Sequence, residues 1–372
     1  MSNIGKKVFV AMSGGVDSSV AAALLKRDGY VVTGVHMICW DGCENSADRR
    51  DAMKVAVTLD IPFLTWDFRN EYKNEVYEYM IREYSNGRTP NPDVMCNKQI
   101  KFGIFLNKAL GAGADFIATG HYVRVKIAHS GGPGFFSAEK TLKTPAVAVR
   151  TSATTSNFIS LFSARDTDKD QSYFLWTLNQ DQLKHCLFPI GDYLKSEVRE
   201  LAAKFGLPTS QKKDSQGLCF VGKVDFLDFL SQKLPQKIGV IMNSKGEKIG
   251  EHKGAHLFTI GQRHGLNLGG QENPLYVACK DIATNTINVV EEKNEILFKK
   301  ELFADNLNWI AERPKFPFSC LARIRYRQAL QKAEILEENK IVFEVPQRAV
   351  SPGQSIVFYT ADGEMLGGGV IT

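Results

Sequence analysis

Three places in this sequence carry residue types able to do chemistry: one glycine-hydroxyl string and two cysteines in loops. The string is SGGVDSS, Ser13 to Ser19, set between the apolar run KVFVAM and a helix-like segment. Two glycines let a backbone approach a phosphate closely, and small hydroxyls donate to its oxygens. A helix N-terminus directly behind them adds oriented N–H groups and a partial positive charge. The string lacks GxxxxGK[ST] and its lysine, so it is not a Walker A loop, and GxGxxG is absent, so it is not a dinucleotide fingerprint. The plain alternative is a tight turn with Asp17 or Ser18 as a helix cap. The full string and its place after the first strand favour pyrophosphate binding.

Cys96 sits in NPDVMC, where Pro90 and Pro92 stiffen a loop and Asn97-Lys98 follow at the start of a helix. A helix N-terminus and a nearby lysine favour a thiolate, the form a nucleophile needs. Asp93, three residues earlier, is placed for acid/base work or for capping the loop. Cys219 lies in the turn GLCFVG, with Gly217 and Gly222 allowing close approach to another surface. The bland reading of either thiol is a buried small hydrophobe, and Cys186, Cys279 and Cys320 keep that reading. Cys39 and Cys43 form a CxxxC pair without a second pair of ligands, too little for zinc, and no metal site is expected. RIRYR puts Arg323, Arg325 and Arg327 on one face of a predicted strand. Such a row is either solvated or matched to an anion, and in this setting phosphate-backbone contact is the better reading.

These groups need a scaffold, and the first half of the chain supplies a regular one. KVFVAM, YVVTGVHMI, IPFLTWDF and ADFIATGHY read as strands, alternating with helices over SSVAAALLKRDG, SADRRDAMKVAVTLD, RNEYKNEVYEYMIREYSNG and QIKFGIFLNKALGAG. That alternation predicts a doubly wound parallel sheet, with ligands at the C-terminal ends of the strands. The stretch 129–168 breaks the rhythm and reads as an insertion or irregular hairpin, and KSEVRELAAKFG (Lys195 to Gly206) as a further helix. From Ile238 short alternating runs divided by turn residues predict small β modules. The expected division is an α/β catalytic domain over 1–224, a small mostly-β central domain over 225–299 and a β-barrel-like domain over 300–372.

Composition sets the outer limits. The chain has 372 residues, 44% hydrophobic and 23% charged, which excludes a disordered polymer. No apolar run approaches the ~20 residues of a membrane helix. An odd count of 7 cysteines without a secretory signal argues for reduced thiols and a cytoplasmic protein. A net charge of +5 permits a polyanionic partner without establishing one.

SGGVDSS resembles the signature of the PP-loop ATP pyrophosphatases, which cleave ATP between the α and β phosphates and adenylate a substrate. NPDVMCNKQIKF, ATGHY, KDQSYFL and DSQGLCFVG narrow the likeness to the bacterial tRNA-specific 2-thiouridylases, as do FTIGQRHGLNLGG, RIRYRQ and SPGQSIVFY. The motifs run in the family's order from Val8 to the C-terminus. Leu218 stands where the family usually has isoleucine, and 126–167 is longer than the family needs. The resemblance implies ATP-dependent 2-thiolation of the wobble uridine of tRNA, giving AMP and pyrophosphate. It implies that Cys219 carries a persulfide from a sulfur-relay donor protein, that Cys96 is the partner thiol and that Asp93 assists. ATP with Mg2+ would lie on Ala11, Met12, Ser13, Gly14, Gly15, Val16, Asp17 and Ser18, with Met37 and Gly120. Asn91, Pro92 and Asp93 would meet the target base, and His121, Lys169, Asp170, Gln171, Arg325, Tyr326 and Gln354 the tRNA. A monomer is expected. The competing enzyme is another PP-loop ligase acting on a small metabolite, which the two cysteines and the basic strand disfavour. The non-enzymatic alternative is an RNA-binding or nucleotide-sensing protein. Pyrophosphate release that depends on tRNA separates all three.

Overall fold

The computed structural model describes residues 3–41, 43–129, 157–213, 230, 233–270, 272–337 and 339–372. Its first sheet has the order β3-β2-β1-β4-β7. The strands are β1 (Lys7–Ala11), β2 (Val31–Ile38), β3 (Phe63–Asp67), β4 (Phe116–Ala118) and β7 (Cys186–Leu187), and every pairing is parallel. A strand's side chains alternate between faces, so one strand feeds two cores. Val8, Val10 and Met12 pack with α1 (Val16–Arg27), α2 (Cys43–Thr58) and α5 (Lys195–Lys204). Phe9, Ala11, Val35 and Met37 pack with α3 (69–85) and α4 (92–111) on the other side. The sheet is therefore doubly wound, and the order reverses between β1 and β4. The crevice at such a reversal is where open α/β sheets hold ligands.

The helices α3 (69–85) and α4 (92–111) both contain π-helical turns, at Lys73–Tyr77 and Cys96–Ile104. In α4 the π stretch begins at Cys96. Gly103 permits it: a Cβ there would come within 2.9 Å of the Lys98 carbonyl oxygen five residues back. π turns are rare and concentrate at functional sites.

The segment expected to be an insertion or irregular hairpin has, at its two described ends, the regularly paired antiparallel strands β5 (Val123–His129) and β6 (Asn157–Ser163). β6 then pairs with β17 (Glu364–Ile371), so the hairpin extends the C-terminal sheet. That sheet runs β12-β15-β14-β13-β16-β17, from β12 (Phe298–Trp309) through β15 (Lys340–Arg348), β14 (Gln331–Ile335), β13 (Phe318–Arg323) and β16 (Ser355–Tyr359). β12 also pairs with β17, which closes a six-stranded antiparallel barrel. Between the two lies the sheet β10-β11-β8-β9 of β8 (Gly239–Met242), β9 (Lys248–His252), β10 (Leu275–Asp281) and β11 (Thr286–Glu291). No helix among the described residues is long and apolar enough to cross a membrane.

One expectation is corrected here. RIRYR is not a strand with three arginines on one face, because β13 ends at Arg323 and 324–327 is a turn. Arg327 has φ +63°, a left-handed conformation outside the extended region of a regular strand.

Candidate active site

The loop after β1 is built from its own small side chains. The Ser13 hydroxyl accepts from the Gly15 N–H at 3.3 Å, and the hydroxyls of Ser18 and Ser19 both donate to the Gly15 carbonyl, at 3.2 and 2.7 Å. Gly14 has φ +80°, and a Cβ there would run into the Asp48 carbonyl of α2. The N-cap of α1 is Gly15, which offers no side-chain oxygen. The first N–H groups of α1 thus lack both an intrahelical partner and a capping side chain, the arrangement that receives an anion. Across the crevice Gly120 follows β4. A Cβ on it would lie 2.7 Å from the Ser18 nitrogen and 2.8 Å from the Asp17 carbonyl carbon, so only glycine lets the two loops touch. Ala11 ends β1 and Met12 follows it, and Met37 is buried near the end of β2, one strand away. A cradle of this shape fits a nucleotide triphosphate.

Asp17, half-buried at the mouth of the loop, accepts a 2.8 Å hydrogen bond from the Tyr122 hydroxyl. It also accepts from Lys195 Nζ at 2.8 and 2.9 Å on its two oxygens. Sequence reasoning missed Lys195 and Tyr122. The available signal was Lys195 at the first position of a well-marked helix, where a cation opposes the helix dipole and needs another reason to be there.

Cys96 is completely buried where α4 passes into its π stretch. Asn91 is the N-cap of α4, its side-chain oxygen accepting from the Val94 N–H at 3.3 Å, and Pro92 occupies the first helical turn. Asn97 donates to the Phe174 carbonyl at 3.2 Å, and the Phe174 ring lies 4.6 Å from that of Tyr326. The Cys96 helix, the KDQSYFL segment and the RIRYR turn are therefore neighbours. Cys219 lies outside the described residues.

The other RNA-contact candidates divide by burial. Lys169 is half-buried, and Gln171 accepts from the Tyr122 N–H at 3.0 Å. Asp170 turns inward instead. Its carboxylate takes the N–H groups of Ala164 and Ser172, each at 3.1 Å, and pairs with Arg323 at 2.5 Å. Arg323 also donates to the Tyr359 hydroxyl at 2.6 Å and is buried, so it too is lost to any RNA surface. His121 is buried against Phe102 and Phe188, its Nδ1 2.8 Å from the Thr119 hydroxyl. Burial, aided by Lys101, drives its pKa well below the ordinary value, so the ring is neutral. Arg325 donates to the carbonyls of Ile260 at 3.1 Å and Ala349 at 2.7 Å. Gln354 donates to those of Thr89 and Pro90, at 2.8 and 3.2 Å.

A parallel sheet with a glycine-hydroxyl loop at its switch point, joined to a small β domain and a closed barrel, defines a PP-loop ATP-using enzyme. The family described as tRNA methyl transferase HUP domain matches residues 6–223, its PRC-barrel domain matches 227–291, and the aminomethyltransferase beta-barrel domain matches 299–371. A protein of Geobacillus thermodenitrificans named tRNA-specific 2-thiouridylase MnmA is 43% identical over 98% of this chain and 94% of its own. The protein of that name from Marinomonas is 44% identical over 99% and 92%, and that from Streptococcus thermophilus 41% over 99% and 96%. The chain belongs to the tRNA-specific 2-thiouridylase family, the tRNA-uridine 2-sulfurtransferases.

Proposed function

We propose that this chain exchanges the C2 oxygen of the wobble uridine in tRNA for sulfur, using ATP to activate the oxygen. The observation that carries this reading is the uncapped α1 N-terminus behind Gly14 and Gly15, facing Gly120 across the β1/β4 reversal. A uracil oxygen is a poor leaving group. Attack by that oxygen on the α-phosphate expels pyrophosphate and leaves an O-adenylate, from which AMP departs when sulfur adds at C2. Ser13 to Ser18 hold the polyphosphate, with Met37 and Gly120 beside the nucleoside. Asp17 is the carboxylate placed to share magnesium, which would neutralise the phosphates, and Lys195 is the neighbouring cation.

The sulfur is a persulfide on Cys219, delivered by a donor protein. In one route the Cys96 thiolate attacks the Cys219 sulfur, hydrosulfide leaves, and it displaces AMP at C2. In the other the persulfide's terminal sulfur attacks C2 directly, and a thiol then attacks the Cys219 sulfur to free the thiouridine. Cys96 as that thiol ends either route in a Cys96–Cys219 disulfide, which needs an external thiol reductant before the next turnover. The π-helical position of Cys96 beside the Asn91–Asp93 cap supports its role, while its complete burial means the segment must open before a persulfide or a base reaches the thiol. The base must leave its stack to reach it. Lys169, Arg325 and Tyr326 guide the RNA, with His121 and Gln171 beneath. The enzyme acts as a cytoplasmic monomer.

The test is incubation with tRNA, ATP, magnesium and a sulfide source, followed by mass spectrometry of nucleosides and nucleotides. The expected products are 2-thiouridine, AMP and pyrophosphate. ADP and phosphate as sole products, or no thiouridine, overturn the reading.

A further inference from the structure

The strand of chain that leads to Cys96 is gripped by the barrel. Thr89 donates its N–H to the Pro352 carbonyl at 2.8 Å, and its own carbonyl accepts from Gln354 Nε2 at 2.8 Å. The same Nε2 reaches the Pro90 carbonyl at 3.2 Å. Gly353 has φ +93°, and a Cβ there would lie 2.9 Å from both the nitrogen and the oxygen of Thr89. The Thr89 hydroxyl donates to that of Thr259 at 3.3 Å, and Ser351 donates to the Ile260 carbonyl at 3.3 Å, so the central domain joins the same grip. The turn is itself fixed to the last strand, since Gly353 donates to the Ile371 carbonyl and Ile371 to that of Gln354, each at 2.8 Å.

We infer that the turn Ser351–Gln354 is the positioning device for the Cys96 loop, and that Gln354 acts through its amide nitrogen as a positioning residue. Its amide nitrogen is spent on two backbone carbonyls of a non-helical segment that has few other ways to satisfy them. One residue further, Asn91 caps α4, so the placement of Thr89 and Pro90 sets the register of Asp93 and Cys96. A barrel that holds RNA thereby also holds the thiol at a fixed place relative to that RNA. A misplacement of about 1 Å costs an enzyme up to ~100-fold in rate, which gives such a clamp a selectable value. The kinetic consequence rests on the catalytic reading of Cys96; the grip on 88–91 does not.

The experiment compares wild type with Gln354→Ala and Gln354→Glu in the full chain without RNA. It reads iodoacetamide labelling of Cys96 by peptide mapping and hydrogen exchange of the peptide 88–97. Labelling and exchange are expected to rise about tenfold, more for glutamate, whose carboxylate faces two carbonyls. With substrate, kcat for thiolation should fall about tenfold while the Kd for tRNA stays within about twofold. Unchanged labelling and exchange with a raised Kd would make Gln354 an RNA ligand and end the proposal. Faster labelling with an unchanged kcat would keep the clamp and remove Cys96 from catalysis. Gly353→Ala is the harsher variant. If it does not fold, Gln354→Ala decides, because it leaves the Thr89–Pro352 hydrogen bond in place.

Discussion

Asp17 is committed to Lys195 and Tyr122 before a nucleotide arrives, and this sets the cost of altering any of the three. Asp17→Ala should abolish tRNA-dependent pyrophosphate release while leaving tRNA affinity nearly intact, read by a pyrophosphate assay beside a filter-binding titration. Equal loss of both would mean an unfolded domain. Lys195→Met leaves the carboxylate without its cation and the loop without a phosphate donor. A charged hydrogen bond contributes about 1.5–3 kcal/mol, so kcat/KM for ATP should fall roughly 10–100-fold. The string Ser13–Ser19 was legible because its glycines and hydroxyls are contiguous. Lys195 was not, because its partner lies 178 residues away and nothing local announces the pair.

His121 shows the same limit from the other side. Its position after β4 was legible, but its burial was not, since Phe102 and Phe188 come from distant segments. Its folded pKa is depressed below the ordinary ~6.5. As pH falls below about 6.5 the unfolded chain takes up a proton that the folded chain refuses, so stability is full above that pH and declines below it. His36, His252 and His256 are lowered by burial as well and act in the same direction. Denaturation midpoints should drop between pH 7.5 and 5.5, and His121→Gln should reduce the drop, each group acting by at most about 1.4 kcal/mol per pH unit. A midpoint that rises on acidification contradicts the burial argument.

At the scale of elements, alternation identified most strands and misread the end of one. RIRYR fits a period of two as well as any strand, yet the ladder stops where the Ile324 N–H bonds to the Gln328 side chain. The turn that follows frees Arg323 to pair with Asp170 inside, beside Ser172 and Tyr359. This pair joins the segment behind β6 to β13, and it replaces the expected RNA contact of Asp170. Breaking a buried pair on one side strands a charge, so Asp170→Asn should cost about 3–5 kcal/mol in chemical denaturation. Asp170→Asn combined with Arg323→Met should cost less than the sum of the two single changes. A loss below about 1 kcal/mol for Asp170→Asn would show that the pair is dispensable. A hairpin was one of the two readings of the stretch after β5, but its pairing with β17 was not legible for a related reason: that strand is some 200 residues away.

For the molecule as a whole, the central domain and the barrel meet at Arg325, which donates to Ile260 in the first and to Ala349 in the second. Burial and neighbouring Arg348 push its pKa down, and Arg348 itself keeps Nε and Nη2 buried without an acceptor. The like charge of Arg348 disfavours the charged Arg325, and a phosphate would relieve it. A crevice of about 360 Å³ adjoins Arg325, lined also by Thr259, Ile260, Gly261, Gln262 and Gln354. Arg325 docks the two domains, and on the proposed reading it has a second, separable task of meeting the RNA backbone. Arg325→Ala should lower the melting temperature through the first. Through the second it should weaken tRNA binding and flatten the plot of log affinity against log salt by about 0.7–0.9 for one lost phosphate contact. Arg325→Lys should recover the slope, because the charge remains, but not the melting temperature, because one ammonium cannot span both carbonyls in the guanidinium's fixed geometry. ATP affinity should be unchanged in both variants. A lowered melting temperature with an unchanged salt slope would assign Arg325 to docking alone and leave the RNA to Lys169 and Tyr326.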